Sequence, residues 1–211
     1  MRLFLLLSIL AISASGLLAE VRYKVVGDTL IFNMTIEEPG FEFTKGVETY
    51  DITAIKNYLF EHPQIRKLKL TGPGGSGEAG TAIGANLLLH DIDTDAFGEC
   101  LSACANIFLA GRKRTLAPNS TLGFHRPWIV KETEKKFYEA NRVEENWVDE
   151  FDYVTLVYED AIEDVIEGIR FMRSRGVEMD FILKILSTSS FDMWEPTREE
   201  LHEAGVLTKL N

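Results

Sequence analysis

A chain of 211 residues, 45% hydrophobic and 26% charged, is long enough for one globular domain with a sizeable core, and it contains no internal repeat or low-complexity tract. With a net charge of -11 and no basic cluster larger than Arg112-Lys113-Arg114, it offers no surface suited to tracking phosphates. Nucleic acid is therefore not the expected partner.

At the amino terminus Arg2 precedes an apolar run over 3–12, and small residues follow up to Ala19. This is the layout of an export signal, with cleavage expected after Ala19. The run is short for a membrane span, and an uncleaved anchor is the alternative. No cysteine stands at the cleavage point to accept a lipid. Residues 1–19 are thus read as a signal peptide and 20–211 as one domain, in a compartment where a disulfide is chemically permitted.

Residues 22–26 and 29–33 flank Gly27-Asp28 and predict a hairpin. A loop rich in Glu, Gly and Pro follows over 37–47. Asp51 is placed to cap a helix whose Ile52, Ile55 and Leu59 share a face and which ends near His62-Pro63. His62 and His90, each at a helix end, read as partners of the C-terminal dipole. Asn33-Met-Thr and Asn119-Ser-Thr match glycosylation sequons, a pattern short enough to arise by chance.

Residues 65–70 alternate as a strand does, and Thr71-Gly-Pro-Gly-Gly-Ser-Gly77 then opens into a helix with Ala79, Ile83 and Leu87 on one face. Such a loop brings backbone N–H groups close to an oxyanion, yet it lacks the lysine of a nucleotide P-loop and the spacing of a dinucleotide fingerprint. By itself it is equally a tight turn that needs glycine torsions. A second strand over 94–97 leads to Ser102, which opens a buried helix ending at Gly111. The first N–H groups of a helix lack intrahelical acceptors, so the Ser102 hydroxyl has donors for a developing anion beside it. A strand over 121–124 ends at His125, an imidazole in position to serve as base. With both strand-to-helix turns on one sheet edge, the amides of Gly75 and Ala103 converge as an oxyanion hole.

Cys100 and Cys104 are the only cysteines and bracket Ser102. Spacing of one helical turn puts their α-carbons within disulfide range, about 6 Å apart. A bridge would pin the turn that carries Ser102; two buried thiols packed as small hydrophobes are the alternative. Zinc wants four ligands, and the four histidines are scattered.

The order Thr-Gly-Pro-Gly-Gly-Ser-Gly-Glu-Ala-Gly, Leu-Ser-Ala-Cys-Ala-Asn-Ile-Phe-Leu-Ala-Gly, Leu-Ala-Pro-Asn-Ser-Thr-Leu-Gly-Phe-His-Arg-Pro resembles the Clp protease proteolytic subunit within the Clp/crotonase superfamily. The resemblance is strongest over 65–127, is looser from Asp192 onward, and points to an exported bacterial branch, hence to the periplasm. It implies an α/β fold, a spiral of β-β-α units with a helical C-terminal part, in which 128–190 form a helical insertion or extension. It also implies Ser102 as nucleophile, His125 as general base, Gly75 and Ala103 as oxyanion donors, and Asp192 as the carboxylate that orients the imidazole. The activity implied is that of a serine peptidase acting on a peptide or protein substrate, with no cofactor.

The family makes oligomers through the region between His125 and Asp192, which leaves a homo-oligomer open, but no matched motif encodes ring assembly. No matched motif encodes an ATPase partner. In that region Leu156, Ile162, Val165, Ile166 and Ile169 recur at helical spacing, which predicts an amphipathic helix packed on the core, a partner surface being the alternative. His202, among acidic neighbours in the last helix, reads as a surface residue. Two other functions compete with the peptidase: crotonase-type chemistry on an acyl thioester, because the same donors stabilise an enolate, and a degenerate enzyme that binds peptides without cleaving them.

Overall fold

The computed structural model describes residues 21–37 and 45–209. The expected export signal and part of the expected 37–47 loop lie outside them. The chain starts with the predicted hairpin, β1 (Tyr23–Val26) and β2 (Thr29–Asn33), turning on Gly27 at φ +62°. A left-handed backbone is cheap there because glycine has no Cβ. Alternation along β2 buries Leu30 and Phe32.

The sheet then continues in parallel through β3 (Lys67–Gly72) and β4 (Asp93–Leu101), with six strands among the described residues. β4 shares its outer edge between two short strands. Thr94 to Ala96 pair with β5 (Arg114–Leu116), and Glu99 to Leu101 pair with β6 (Thr121–Gly123). The strand predicted over 94–97 thus runs on to Leu101. Gly98 at φ +59° lets it bend without ending, and Thr71 Oγ1 donates to Glu99 O across the bend.

Helices α1 (Thr49–Glu61), α2 (Gly77–Leu89) and α3 (Ala103–Leu109) alternate with these strands, and their inner faces bury Ile55, Ile83, Leu87, Ile107 and Phe108 against Leu68 and Leu70. Each such side chain contributes about 2 kcal/mol by leaving water. Helices α1 and α2 end at His62 and His90, as expected. Asp51 differs from expectation. Glu48 is the N-cap of α1, and Asp51, at the third helical position, accepts the Glu48 amide in a capping box.

Four more helices follow: α4 (Lys131–Asn141), α5 (Glu150–Ser174), α6 (Met179–Ser187) and α7 (Arg198–Glu203). Helix α6 returns Phe181, Ile182 and Ile185 to the core, and α7 returns Leu201. His202 is half-buried. The amphipathic face of α5 does not lie on the core as predicted. Leu156, Ile162 and Ile166 are 37%, 45% and 41% exposed, and the helix meets the core only near its end, through Ile169, Phe171 and Met172. Only its last turns reach the core, where Arg175 donates to Leu109 O and Gly111 O and Val177 is buried.

Candidate active site

Ser102 stands between the last residue of β4 and the first of α3, with φ +52° and ψ -120°. Such torsions are costly for a residue with a Cβ, by about 1–3 kcal/mol, and persist only where the surroundings hold them. Three constraints do so here. The Ser102 amide donates to Gly123 O at 2.8 Å, tying the turn to β6, and the Ser102 carbonyl accepts the Asn106 amide at 3.1 Å, starting α3. The third is a disulfide between Cys100 and Cys104, whose α-carbons lie 5.1 Å apart, so the bridge closes over the serine. Both cysteines are fully buried.

The glycine loop presses on this turn. Gly74 has φ +110°, and a Cβ there would fall 2.7 Å from Ser102 Cβ and 3.2 Å from Ser102 Oγ. Only glycine leaves the hydroxyl room. Gly75, at φ +127°, forms a parallel bridge with Val47. The Val47 amide donates to Gly74 O at 2.6 Å, and the Ser76 amide donates to Val47 O at 2.9 Å. In a parallel bridge of this register the central residue turns its own N–H away from its partner, so the Gly75 amide faces away from Val47. Ala103, first in α3, has an amide without an intrahelical acceptor. Ser76 Oγ meanwhile accepts the Ala79 amide and caps α2.

His125 follows β6 by two residues. The register of Leu101 with Gly123 sets Ser102 and His125 at the same end of neighbouring strands. Both side chains are half-buried. No hydrogen bond joins them among the described residues. His125 Nδ1 instead lies 2.7 Å from the Arg126 carbonyl. A carbonyl only accepts, so Nδ1 carries a proton here, and in the neutral ring that leaves the lone pair on Nε2, the tautomer a general base requires.

Asp192 lies on the segment that pairs with the histidine's strand, since Phe124 and Trp194 exchange both amide bonds at 2.9 Å and the Arg126 amide donates to Thr188 O at 3.1 Å. The Asp192 amide donates to Ser189 O at 3.0 Å, its side chain is exposed, and no bond connects it to His125 among the described residues. The Arg126 carbonyl, which sequence reasoning missed, occupies the Nδ1 position assigned to it. No residue-type signal marks a backbone acceptor.

Among the described residues, no group of His, Cys, Asp and Glu is arranged to hold a metal, and no helix is long and apolar enough to cross a membrane.

The fold is shared with solved structures. A mutant form of ClpP1 from Listeria monocytogenes superposes with a TM-score of 0.59 at 14% identity, covering 86% of this chain and 89% of that one. The Pseudomonas aeruginosa protein PA4980 superposes with a TM-score of 0.50 at 12% identity, covering 88% of this chain and 74% of that one. No family profile and no curated protein sequence matches this chain. The chain has a Clp/crotonase-like α/β fold.

Proposed function

We propose that the protein is an exported serine hydrolase, a peptidase that works through an acyl-enzyme. One observation carries this reading: a serine held at φ +52° between a strand and a helix, pressed against Gly74 and next to the helix-start amide of Ala103, which has no intrahelical acceptor. A residue that served only as a helix cap would spend its hydroxyl on the helix, and Ser102 makes no such bond.

In this mechanism His125 Nε2 takes the proton from Ser102 Oγ as the oxygen attacks the substrate carbonyl. The Gly75 and Ala103 amides receive the developing oxyanion. The imidazolium then protonates the leaving amine, and water, activated by the same nitrogen, hydrolyses the acyl-enzyme. No hydrogen bond joins Nε2 to Ser102 among the described residues, so the two side chains close on each other when substrate binds. We assign Asp192 to that bound state, where its carboxylate stabilises the imidazolium.

The periplasmic location rests on the amino-terminal sequence and accords with the closed disulfide. A homo-oligomer is in keeping with the uncovered apolar face of α5.

The test is labelling of the mature protein with a fluorophosphonate probe, the modified residue being located by mass spectrometry. Labelling is expected at Ser102, lost in Ser102→Ala and in His125→Ala, and slowed in Asp192→Asn. Absence of labelling in folded protein, whether oxidised or reduced, would sink the hydrolase and leave a peptide-binding module in its place.

A further inference from the structure

The proposed oxyanion hole depends on where the Gly75 amide points, and Gly75 is bridged on its outer side by Val47. Val47 is in turn gripped through both of its peptide planes. The plane before it has the Val47 N–H on the Gly74 carbonyl, and its other end, the Gly46 carbonyl, accepts Arg22 Nη2 at 2.5 Å. The plane after it has the Val47 carbonyl on the Ser76 amide, and its other end, the Glu48 N–H, donates to Asp51 Oδ2 at 2.7 Å. A peptide unit is rigid, so holding one end fixes the direction of the other.

Arg22 and Asp51 are themselves one unit. Arg22 Nε donates to Asp51 Oδ1 at 2.8 Å and Nη2 to Oδ2 at 2.6 Å, a two-pronged charge-assisted pair. The Tyr23 hydroxyl also donates to Asp51 Oδ1, and Arg22 Nη1 donates to Ile36 O at 2.6 Å. Arg22 is 3% exposed and Asp51 is fully buried. A buried ion pair gains little over well-packed apolar side chains of similar size, so what this pair contributes is the geometry it imposes.

We propose that Arg22 and Asp51 are positioning residues of the active site, which aim the Gly75 amide at the oxyanion by fixing the two peptide planes of Val47. The inference rests on the hydrolase reading, which makes Gly75 a donor. It predicts a defect in the chemical step and little in probe binding, because the pair acts on a group that matters as charge develops.

The experiment compares mature wild-type protein with Arg22→Lys, Asp51→Asn and Tyr23→Phe. Arg22→Lys keeps the charge and loses the fork, Asp51→Asn keeps the shape and loses the charge, and Tyr23→Phe leaves both grips on Val47 intact. Two quantities are read: the saturating rate and half-saturating concentration of fluorophosphonate labelling at Ser102, and amide hydrogen exchange over 71–77 compared with α3.

In Arg22→Lys and Asp51→Asn the saturating rate should fall about 10- to 100-fold, with the half-saturating concentration within about threefold of wild type. Exchange over 71–77 should quicken while α3 keeps its protection. Tyr23→Phe should match wild type on both. A folded Arg22→Lys with wild-type rate and protection would overturn the proposal. So would loss of the cooperative thermal transition in both charge variants, which would make the pair a prop of the whole domain. Wild-type protein that takes no label brings down the hydrolase reading instead, and the exchange measurement then still decides whether the pair holds the loop.

Discussion

Around Ser102 every turn is crossed by bonds from remote parts of the chain: Gly123 holds its amide, Val47 holds the glycine loop, and Arg22 and Asp51 hold Val47. The arm formed by α4 and α5 is held by its own neighbours. Phe137, Tyr138, Trp147 and Tyr153 stack on one another with centroids between 4.8 and 6.4 Å apart, Tyr153 donates to Glu134 Oε2 at 2.5 Å, and Asp149 caps the start of α5. The first region holds strained torsions in place. The second stiffens one projecting element and leaves its apolar side in water. The same periodic run of apolar residues that marks a core helix is therefore compatible with a face open to a partner.

Glycine separates the two regions most sharply. Gly74→Ala should cost more than about 2 kcal/mol and abolish fluorophosphonate labelling, because the new methyl meets Ser102 and φ is positive. Gly168 in α5 has nothing within 4 Å of an added Cβ, so Gly168→Ala should stabilise the protein by about 0.5–1 kcal/mol. Urea titration of both variants checks the opposite signs. Matching signs would mean the two regions are not built as described.

Removing the bridge with Cys100→Ala and Cys104→Ala together should lower stability by roughly 2 kcal/mol, the value for so short a loop. The labelling rate should fall with it, since the bridge closes over Ser102. A variant that unfolds earlier yet labels at the wild-type rate would show that the remaining bonds are enough to hold the elbow.

The arm has its own titration. Burial pushes the Tyr153 hydroxyl up to about 12, helped by its bond to Glu134 and by the charges of Glu134 and Asp160. The ordinary value is near 10. A raised folded value favours the neutral phenol, so this contribution is complete below pH 10 and is lost as pH rises toward 12. Trp147, 4.8 Å from the Tyr153 ring, should report the loosening as a change in fluorescence over that window, and Tyr153→Phe should remove the transition.

The smallest effect belongs to the open face. Ile166→Glu should change the stability of the isolated chain by less than about 0.5 kcal/mol, whereas Ile83→Ala in the core should cost about 2–5 kcal/mol. Sedimentation of Ile166→Glu sharpens the contrast. A lower mass than wild type would identify the face as a contact between copies.

The parts of the site legible in sequence are those with local causes. The positive-φ turn at Gly74-Gly75 announces itself in a glycine run and the buried helix after Ser102 in its small apolar residues; the bridge forms as expected, but across a strand-to-helix junction, with Cys100 on β4 and Cys104 on α3, rather than on one helical turn. What escaped notice depends on distant partners. β5 is three residues long and too short to alternate, and Gly98 looks like a stop where it is a bend. Asp51 reads as a helix cap because nothing near it reveals that Arg22 will fold onto its carboxylate. Likewise, nothing around His125 marks the Arg126 carbonyl as its Nδ1 acceptor.

The exchange of amide bonds between Phe124 and Trp194 bears on how the protein is made. The strand that leads to His125 keeps one edge open until a segment roughly 70 residues further along the chain reaches it, a long-range contact that forms more slowly than the local helices. Until then the serine elbow lacks a settled histidine beside it. Under the mechanism proposed above, the base therefore settles only after the turn that carries the nucleophile has its own strand and helix.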